Sequence, residues 1–218
     1  MTEPSSHKIA LYEQFARVGQ ALANPKRLEL LDLLAQGERS VEALATAAGL
    51  GLTTTSAHLQ TLRQTRLVST RRDGTKIYYR LAGDDVAHLY AAVRDLARAH
   101  LAEVQVARRA YLGDDVEEIT REELLRRAEA GDVTVLDVRP TEEHAAGHVP
   151  GALSIPVDQL TARIAELPAD SEVVAYCRGE YCVFAHDAVR MLRSAGRDAR
   201  KLEQGMLEWR LAGLPVQA

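Results

Sequence analysis

The stretch SEVVAYCRGEYCVFAHDAVRMLRSA, Ser171 to Ala195, holds both cysteines of the 218-residue chain in one short segment, Cys177-Arg178-Gly179-Glu180-Tyr181-Cys182. Before it, Val173, Val174, Ala175 and Tyr176 form the short apolar run expected of a strand buried on both faces. After it, Val183, Ala188, Val189 and Leu192 recur at helical spacing and stop at Ala195-Gly196. A strand, a short glycine-containing loop and a helix put Cys177 at the strand's carboxyl end, with loop amides and a helix N-terminus near its sulfur. Such surroundings, with Arg178 adding positive charge, draw a thiol below its usual pKa of about 8.5, and the thiolate is the nucleophile. Cys177 is the candidate nucleophile; the competing reading is a cysteine buried as a small hydrophobe. The amides of Arg178, Gly179, Glu180, Tyr181 and Cys182 form a candidate anion cradle. Cys182 is a candidate resolving thiol, able to bridge Cys177 if the loop brings the two Cα atoms to about 4.4 to 6.8 Å.

Working outward, Asp132 to Ala152, DVTVLDVRPTEEHAAGHVPGA, carries Leu136-Asp137-Val138-Arg139, then Glu143, then Gly147-His148-Val149-Pro150-Gly151-Ala152. The chain closes on Leu202-Glu203-Gln204-Gly205-Met206, Trp209 and Ala212-Gly213-Leu214-Pro215-Val216. In this order, the segments resemble the rhodanese family over roughly the last hundred residues. Gln204 departs from the pattern, where a second glycine is common. The resemblance implies an α/β domain with a parallel sheet flanked by helices, and a sulfur-carrying cysteine at Cys177. Asp137, Arg139 and Glu143 are expected to form a charged network supporting the loop. A phosphatase or arsenate reductase built on a related loop would want arginine six positions after the cysteine, where this chain has Val183.

Composition is that of an ordinary globular protein, 46% hydrophobic and 27% charged, with a net charge of −4. No segment reads as a membrane span or signal peptide, so a cytoplasmic protein with no membrane partner is expected. Two cysteines so close together read as reactive rather than as a secreted disulfide framework. Charge is uneven: Arg63, Arg66, Arg71, Arg72, Lys76 and Arg80 crowd one span, while acids gather around Asp114 to Glu123. A locally basic face on an acidic protein is compatible with nucleic-acid binding.

The N-terminal half reads as helices and one hairpin. Residues 1–7 read as a frayed terminus, and a first helix starts near Ile9 with Leu11, Phe15, Val18 and Leu22. Asn24-Pro25 separates it from a second helix rich in leucine that ends near Gly37, and Ser40 caps a short third. Thr53 to Arg63 then reads as the second helix of a helix-turn-helix, with Leu59 and Leu62 inward. Leu67 to Arg72, Asp73-Gly74 and Thr75 to Leu81 make an alternating hairpin, which completes a winged helix. Asp84 to Leu112 reads as one long helix with Val86, Leu89, Tyr90, Val93, Leu96, Ala97, Leu101 and Val104 along one side, a dimer seam. The expected division is therefore a mainly α winged-helix domain over 1–112 and a second domain over 113–218.

Ala21 to Leu28, Gly37-Glu38, Ser56-Ala57-His58-Leu59 and Tyr78-Tyr79-Arg80-Leu81 are similar, in order, to the ArsR/SmtB family of winged-helix repressors. That resemblance implies a homodimer on a near-palindromic double-stranded operator. Thr53, Thr54, Thr55, Ser56 and His58 are the candidates for base and phosphate contact, because the start of a recognition helix reaches the major groove. Arg71, Arg72, Lys76 and Arg80 are the candidates for the backbone or the minor groove. The family's metal sites are not matched: Ser40 and Glu42 stand where its thiolates would be, and His88 falls out of register with His100 and Glu103. His144 and His148 could face each other only in a helical segment, which Gly147 and Pro150 argue against. No metal and no cofactor is expected.

The reading is a DNA-binding regulator whose second domain senses or carries sulfane sulfur as a persulfide on Cys177, from a persulfide, polysulfide or thiosulfate donor. Two alternatives stay open. One is a sulfurtransferase enzyme with an attached winged helix, and the other is a thiol-based arsenic or redox sensor using Cys177 and Cys182.

Overall fold

The computed structural model describes residues 3–218, with side chains from Ser6 onward. It divides into two compact units, Met1–Ala92 and Val93–Ala218. This division lies within a helix and upstream of the 112/113 boundary expected from the sequence.

The first unit runs α1 (Glu3–Leu22), α2 (Pro25–Ala35), β1 (Arg39–Ser40), α3 (Val41–Ala47), α4 (Leu52–Gln64), β2 (Val68–Asp73), β3 (Lys76–Leu81) and the start of α5 (Asp84–His100). Of the expected frayed terminus, residues 1 and 2 lie outside the described residues, and α1 begins at Glu3 rather than near Ile9. Pro4 does not prevent this, since a first turn leaves its amides without intrahelical partners anyway. Asn24 caps α2 by accepting from the Arg27 amide at 3.1 Å, with Pro25 opening the helix. Ser40 likewise accepts from the Ala43 amide at the head of α3. Leu30, Leu31, Leu34, Leu44, Leu59, Leu62 and Tyr79 are buried as the core under the antiparallel sheet β1-β3-β2. In the hairpin, Asp73 pairs with Lys76, and Gly74 takes the positive φ of 58° that the tight turn demands.

The long helix expected from Asp84 to Leu112 is two: α5 ends at His100, and α6 (Ala102–Leu112) restarts after Leu101, whose φ of −111° and ψ of 103° are extended. No glycine, proline or capping side chain marks the break. Packing decides it, because α6 turns to lie against a later helix, burying Leu112.

The second unit continues with β4 (Glu118–Ile119), α7 (Arg121–Ala130), β5 (Val133–Asp137), α8 (Thr141–Ala145), β6 (Leu153–Ser154), α9 (Leu160–Arg163), β7 (Glu172–Tyr176), α10 (Val183–Ser194), β8 (Ala199–Leu202) and α11 (Met206–Leu211). Its five strands are parallel in the order β4-β8-β7-β5-β6. Alternation along central β7 explains its apolar run. Val173 and Ala175 pack with Leu136, Ala188 and Leu192 on one face, and Val174 and Tyr176 with Leu124, Met206 and Trp209 on the other. This arrangement places the carboxyl ends of β5 and β7 side by side, Asp137 opposite Tyr176. Open parallel sheets present their sites at that edge. No described helix is long and apolar enough to cross a membrane.

Candidate functional site

Cys177 follows the last residue of β7 and Cys182 is the residue before α10, so the strand and the helix fix the two ends of the loop. The two are joined as a disulfide with Cα atoms 6.1 Å apart. This lies within the window in which two cysteines bond. Cys177 is 2% exposed. In this state neither sulfur is a thiolate, and the expected nucleophile exists only once the bond is opened.

The closing segment holds the loop from beneath. The Met206 and Leu207 amides donate to the carbonyls of Cys177 and Arg178, each at 2.9 Å. Gly205 makes this approach possible: a Cβ there would lie 2.6 Å from the Cys177 carbonyl oxygen and 2.6 Å from the Gly179 Cα. Half-buried Gln204 stands next to it. The Glu208 carboxylate accepts from the Gly205 amide at 2.8 Å and pairs with Arg94 at 2.5 Å.

Charges around the loop close on one another. Arg178, expected to raise the positive potential at Cys177, donates through Nε and Nη2 to Glu143 at 2.9 and 2.7 Å, with Glu143 buried. Glu180 accepts from Arg98 at 3.0 Å, and this pair lifts the Arg98 pKa. Within the expected anion cradle, the Cys182 amide is used inside the loop, donating to the Gly179 carbonyl. Gly179 is bordered by the Glu208 carboxylate. The Tyr181 hydroxyl is buried without a hydrogen-bond partner among the described residues.

Under the β5 end lies the second part of the expected network. Asp137 and Arg139 are both fully buried and share two parallel bonds, Arg139 Nε to Oδ1 at 2.9 Å and Nη2 to Oδ2 at 2.6 Å. Tyr176 donates its hydroxyl to the same carboxylate at 2.7 Å and accepts from the Val149 amide. Burial pushes the Asp137 carboxyl up, yet the Arg139 and Tyr176 bonds outweigh it and hold the group below the usual range. Burial beside that carboxylate drives the Tyr176 phenol far above its usual value. His144 also joins Asp137, at 3.1 Å through Nδ1. A carboxylate only accepts, so Nδ1 carries the hydrogen. The His144 and His148 rings stack at 3.6 Å, contrary to the reading from Gly147 and Pro150. The helix α8 ends at Ala145, and the His148 Nδ1 still reaches the His144 carbonyl across the following turn. Among the described residues, no group of three or more histidine, cysteine or acidic side chains is arranged to hold a metal ion.

His186 on α10 and Lys201 on β8 are buried. Burial lowers both pKa values, with nearby Lys201 adding to the effect on His186 and Glu118 countering it on Lys201. Neither residue stood out in the sequence. Tyr176 was hidden inside the apolar run, and Glu208, Arg94 and Arg98 carry no local signal, because their partners lie many residues away in the chain.

In the first unit, Thr53 and Thr54 are exposed at the start of α4, with Ser56 and His58 half-buried. Thr55 is fully buried, its hydroxyl bonded to the Gly51 carbonyl, so it faces the core and not a groove. On the hairpin, Arg72, Lys76 and Arg80 are exposed, with Arg72 donating to the Gly74 carbonyl and Arg80 to Ser69. Arg71 is exposed but tied to Glu38 at 2.7 Å and to Asp73 at 3.3 Å, above the Tyr78 ring.

Comparison with known proteins bears on both units. Residues 24–70 match the model of the bacterial regulatory protein, arsR family, and residues 120–212 match the rhodanese-like domain. Over 216 residues, 99% of this chain and 96% of its counterpart, the sequence is 60% identical to the HTH-type transcriptional regulator Rv0324 of Mycobacterium tuberculosis. Over 104 residues, 47% of this chain and 96% of the other, it is 36% identical to a protein of Allochromatium vinosum named Sulfurtransferase. Among solved structures, the homodimeric winged helix-turn-helix DNA-binding domain of Mb0332 from Mycobacterium bovis is 58% identical, covering 47% of this chain and 95% of that one with a TM-score of 0.43.

Proposed function

The chain belongs to the arsR-family helix-turn-helix transcriptional regulators and carries a rhodanese-like domain on the same polypeptide, and from that premise we propose that it adjusts DNA binding in response to sulfane sulfur accepted on Cys177. The observation that carries this reading is the meeting of Cys177 and Cys182, Cα atoms 6.1 Å apart, at the carboxyl end of a parallel strand in the domain joined to the DNA-binding one. In the reduced protein, the Cys177 thiolate attacks the terminal sulfur of a hydropersulfide or hydropolysulfide, the donor's last sulfur–sulfur bond breaks, a persulfide forms on Cys177 Sγ, and the donor leaves one sulfur shorter, as a thiolate or a shorter polysulfide. Cys182 is the second thiol of the site. Asp137, Arg139 and Tyr176 hold the strand ends, while Glu143 positions Arg178.

The DNA face in this reading is Thr53, Thr54, Ser56 and His58 for the major groove, with Arg72, Lys76 and Arg80 on the hairpin for phosphates. The working form is a homodimer on a two-fold operator. Exposed Ile9, Tyr12 and Phe15 on α1 and exposed Leu96 on α5 support it, as apolar groups that association would cover. Signal transfer is assigned to α5, whose residues through Ala92 belong to the first unit and whose Arg98, in the second, pairs with Glu180 inside the loop.

The test is mass spectrometry of the reduced full-length protein after polysulfide treatment, paired with a DNA gel shift. The parent should gain sulfur at Cys177 and change its DNA affinity, and Cys177→Ser should do neither while binding DNA like the untreated parent. A Cys177→Ser protein that responds as the parent does would overturn the reading. The second reading, a sulfurtransferase enzyme, draws on the likeness of the second half to the Allochromatium vinosum protein. Sustained thiosulfate-to-cyanide turnover would favour it, and a single stoichiometric burst the sensor.

A further inference from the structure

We propose that the loop does not store the sulfur atom it accepts but releases it as hydrogen sulfide, closing the Cys177–Cys182 disulfide in the same step. This rests on Cys177 being the acceptor, and it assigns the site a further activity, a single-turnover reduction of sulfane sulfur.

Two fixed ends hold the thiols together. Without an outside oxidant, a persulfide on Cys177 facing a Cys182 thiol has two outcomes: the added sulfur stays as the persulfide, or the Cys182 thiolate displaces it. The Cα separation of 6.1 Å lies inside the range of about 4.4 to 6.8 Å that a two-sulfur link spans, so the displacement closes a bond that the two ends already fit. Both ends are held at that distance. On one side, Cys177 is buried in the core, its carbonyl takes the Met206 amide, and the next carbonyl takes that of Leu207. Gly205 lies directly against the Cys177 carbonyl and the Gly179 backbone. On the other side, Cys182 is bound at both its backbone groups, through its amide to Gly179 and its carbonyl to His186 Nδ1 at 3.3 Å. The helix that follows it is anchored by buried Ala185, Ala188 and Val189. Drawing the two thiols apart means moving a central strand or a core helix, so a persulfide on Cys177 stays within reach of the Cys182 thiolate.

The step balances without an outside oxidant. The Cys182 thiolate attacks the Sγ of Cys177, the Cys177 Sγ–Sγ Cys182 bond forms, and the bond from Cys177 Sγ to the added sulfur breaks with its electron pair going to that sulfur. It leaves as hydrosulfide and takes up a proton. The zero-valent sulfur is reduced to sulfide, and the two cysteines are oxidised to the disulfide seen here. An external dithiol would then return the loop to its starting state. Thiol–disulfide exchange of this kind runs through attack by a thiolate on a sulfur–sulfur bond, for which adjacent, fixed partners suffice.

The experiment adds one equivalent of glutathione persulfide to reduced full-length protein and measures free sulfide and intact mass, with Cys182→Ser and Cys182→Ala run in parallel. Expected for the parent is close to one sulfide per chain and a loss of about 2 Da as two hydrogens leave, and for both variants a stable gain of about 32 Da with only background sulfide. A parent that instead keeps a stable gain of about 32 Da without sulfide would overturn the proposal, because the persulfide is then retained beside a reduced Cys182. So would variants that release sulfide as the parent does. If the variants take up no sulfur at all, Cys177 is not the acceptor, and it is the underlying function that fails.

Discussion

At the residue scale, the side chain on which most of the second site leans is Asp137, which no solvent reaches and which gathers Arg139, Tyr176 and His144. A buried ion pair of this kind adds little over an apolar pair of the same shape, but removing one partner strands the other charge, at a cost of about 3 to 5 kcal/mol. Arg139→Met should therefore lower the unfolding free energy of the second unit by about that amount at neutral pH, read by denaturant titration of the full chain. The pH dependence has a definite sign. The folded-state pKa of Asp137 lies below the ordinary carboxyl value of about 3.9, so its contribution is full above that value and is lost as pH falls through the folded pKa. In Arg139→Met that support is gone and burial dominates, so the gap between variant and parent should narrow on acidification. A gap that stays constant to low pH would show that the carboxylate is not what Arg139 stabilises. The sequence pointed to Asp137, Arg139 and Glu143 as a charged network beneath the loop. Asp137 and Arg139 pair directly, and Glu143 holds Arg178 while, against burial, its charge adds to that of Asp137 in raising the Arg139 pKa.

At the scale of elements, α5 is where local reading and structure part. Its heptad-like apolar positions continue past His100 with no interruption of composition, yet the chain breaks at Leu101. What the turn leaves behind is a last helical segment with Arg94 on Glu208 and Arg98 on Glu180, both reaching the loop or its closing helix. The Arg98 pair is partly exposed, and such pairs contribute only about 0 to 1 kcal/mol, so its loss should barely alter stability. A role in signalling separates from a structural one on that ground. Arg98→Ala should take up sulfur on Cys177 at the parental rate and bind DNA when reduced, while its gel-shift response to persulfide shrinks. A full response in that variant would place the signal on another route.

At the scale of the whole molecule, a monomer leaves Leu96 61% exposed and Phe15 60% exposed. Single exposed apolar residues are common, but several on regular helices are what a two-fold assembly would cover. Leu96→Glu should halve the solution mass and weaken operator binding in parallel, measured by light scattering and gel shift, because one half-site supplies only part of the affinity. A variant that remained dimeric with normal DNA binding would move the seam to other residues, those of α1 first.

What the sequence alone determined is what short-range chemistry encodes: the capped helices at Asn24 and Ser40, the glycine hairpin at Gly74, the buried strand before Cys177, and the proximity of two thiols only five positions apart. Each depends on residues close together in the chain, so periodicity, caps and turn chemistry suffice to read it. The tertiary structure alone decided the break at Leu101, the turning of Thr55 into the core, the stacking of His144 on His148, and the pairing of every charge around the loop with a partner on another element. Those outcomes follow from which surfaces meet when helices pack on a sheet. The energy of a buried or half-buried charge depends on the neighbour that packing brings to it, and no local pattern records that neighbour.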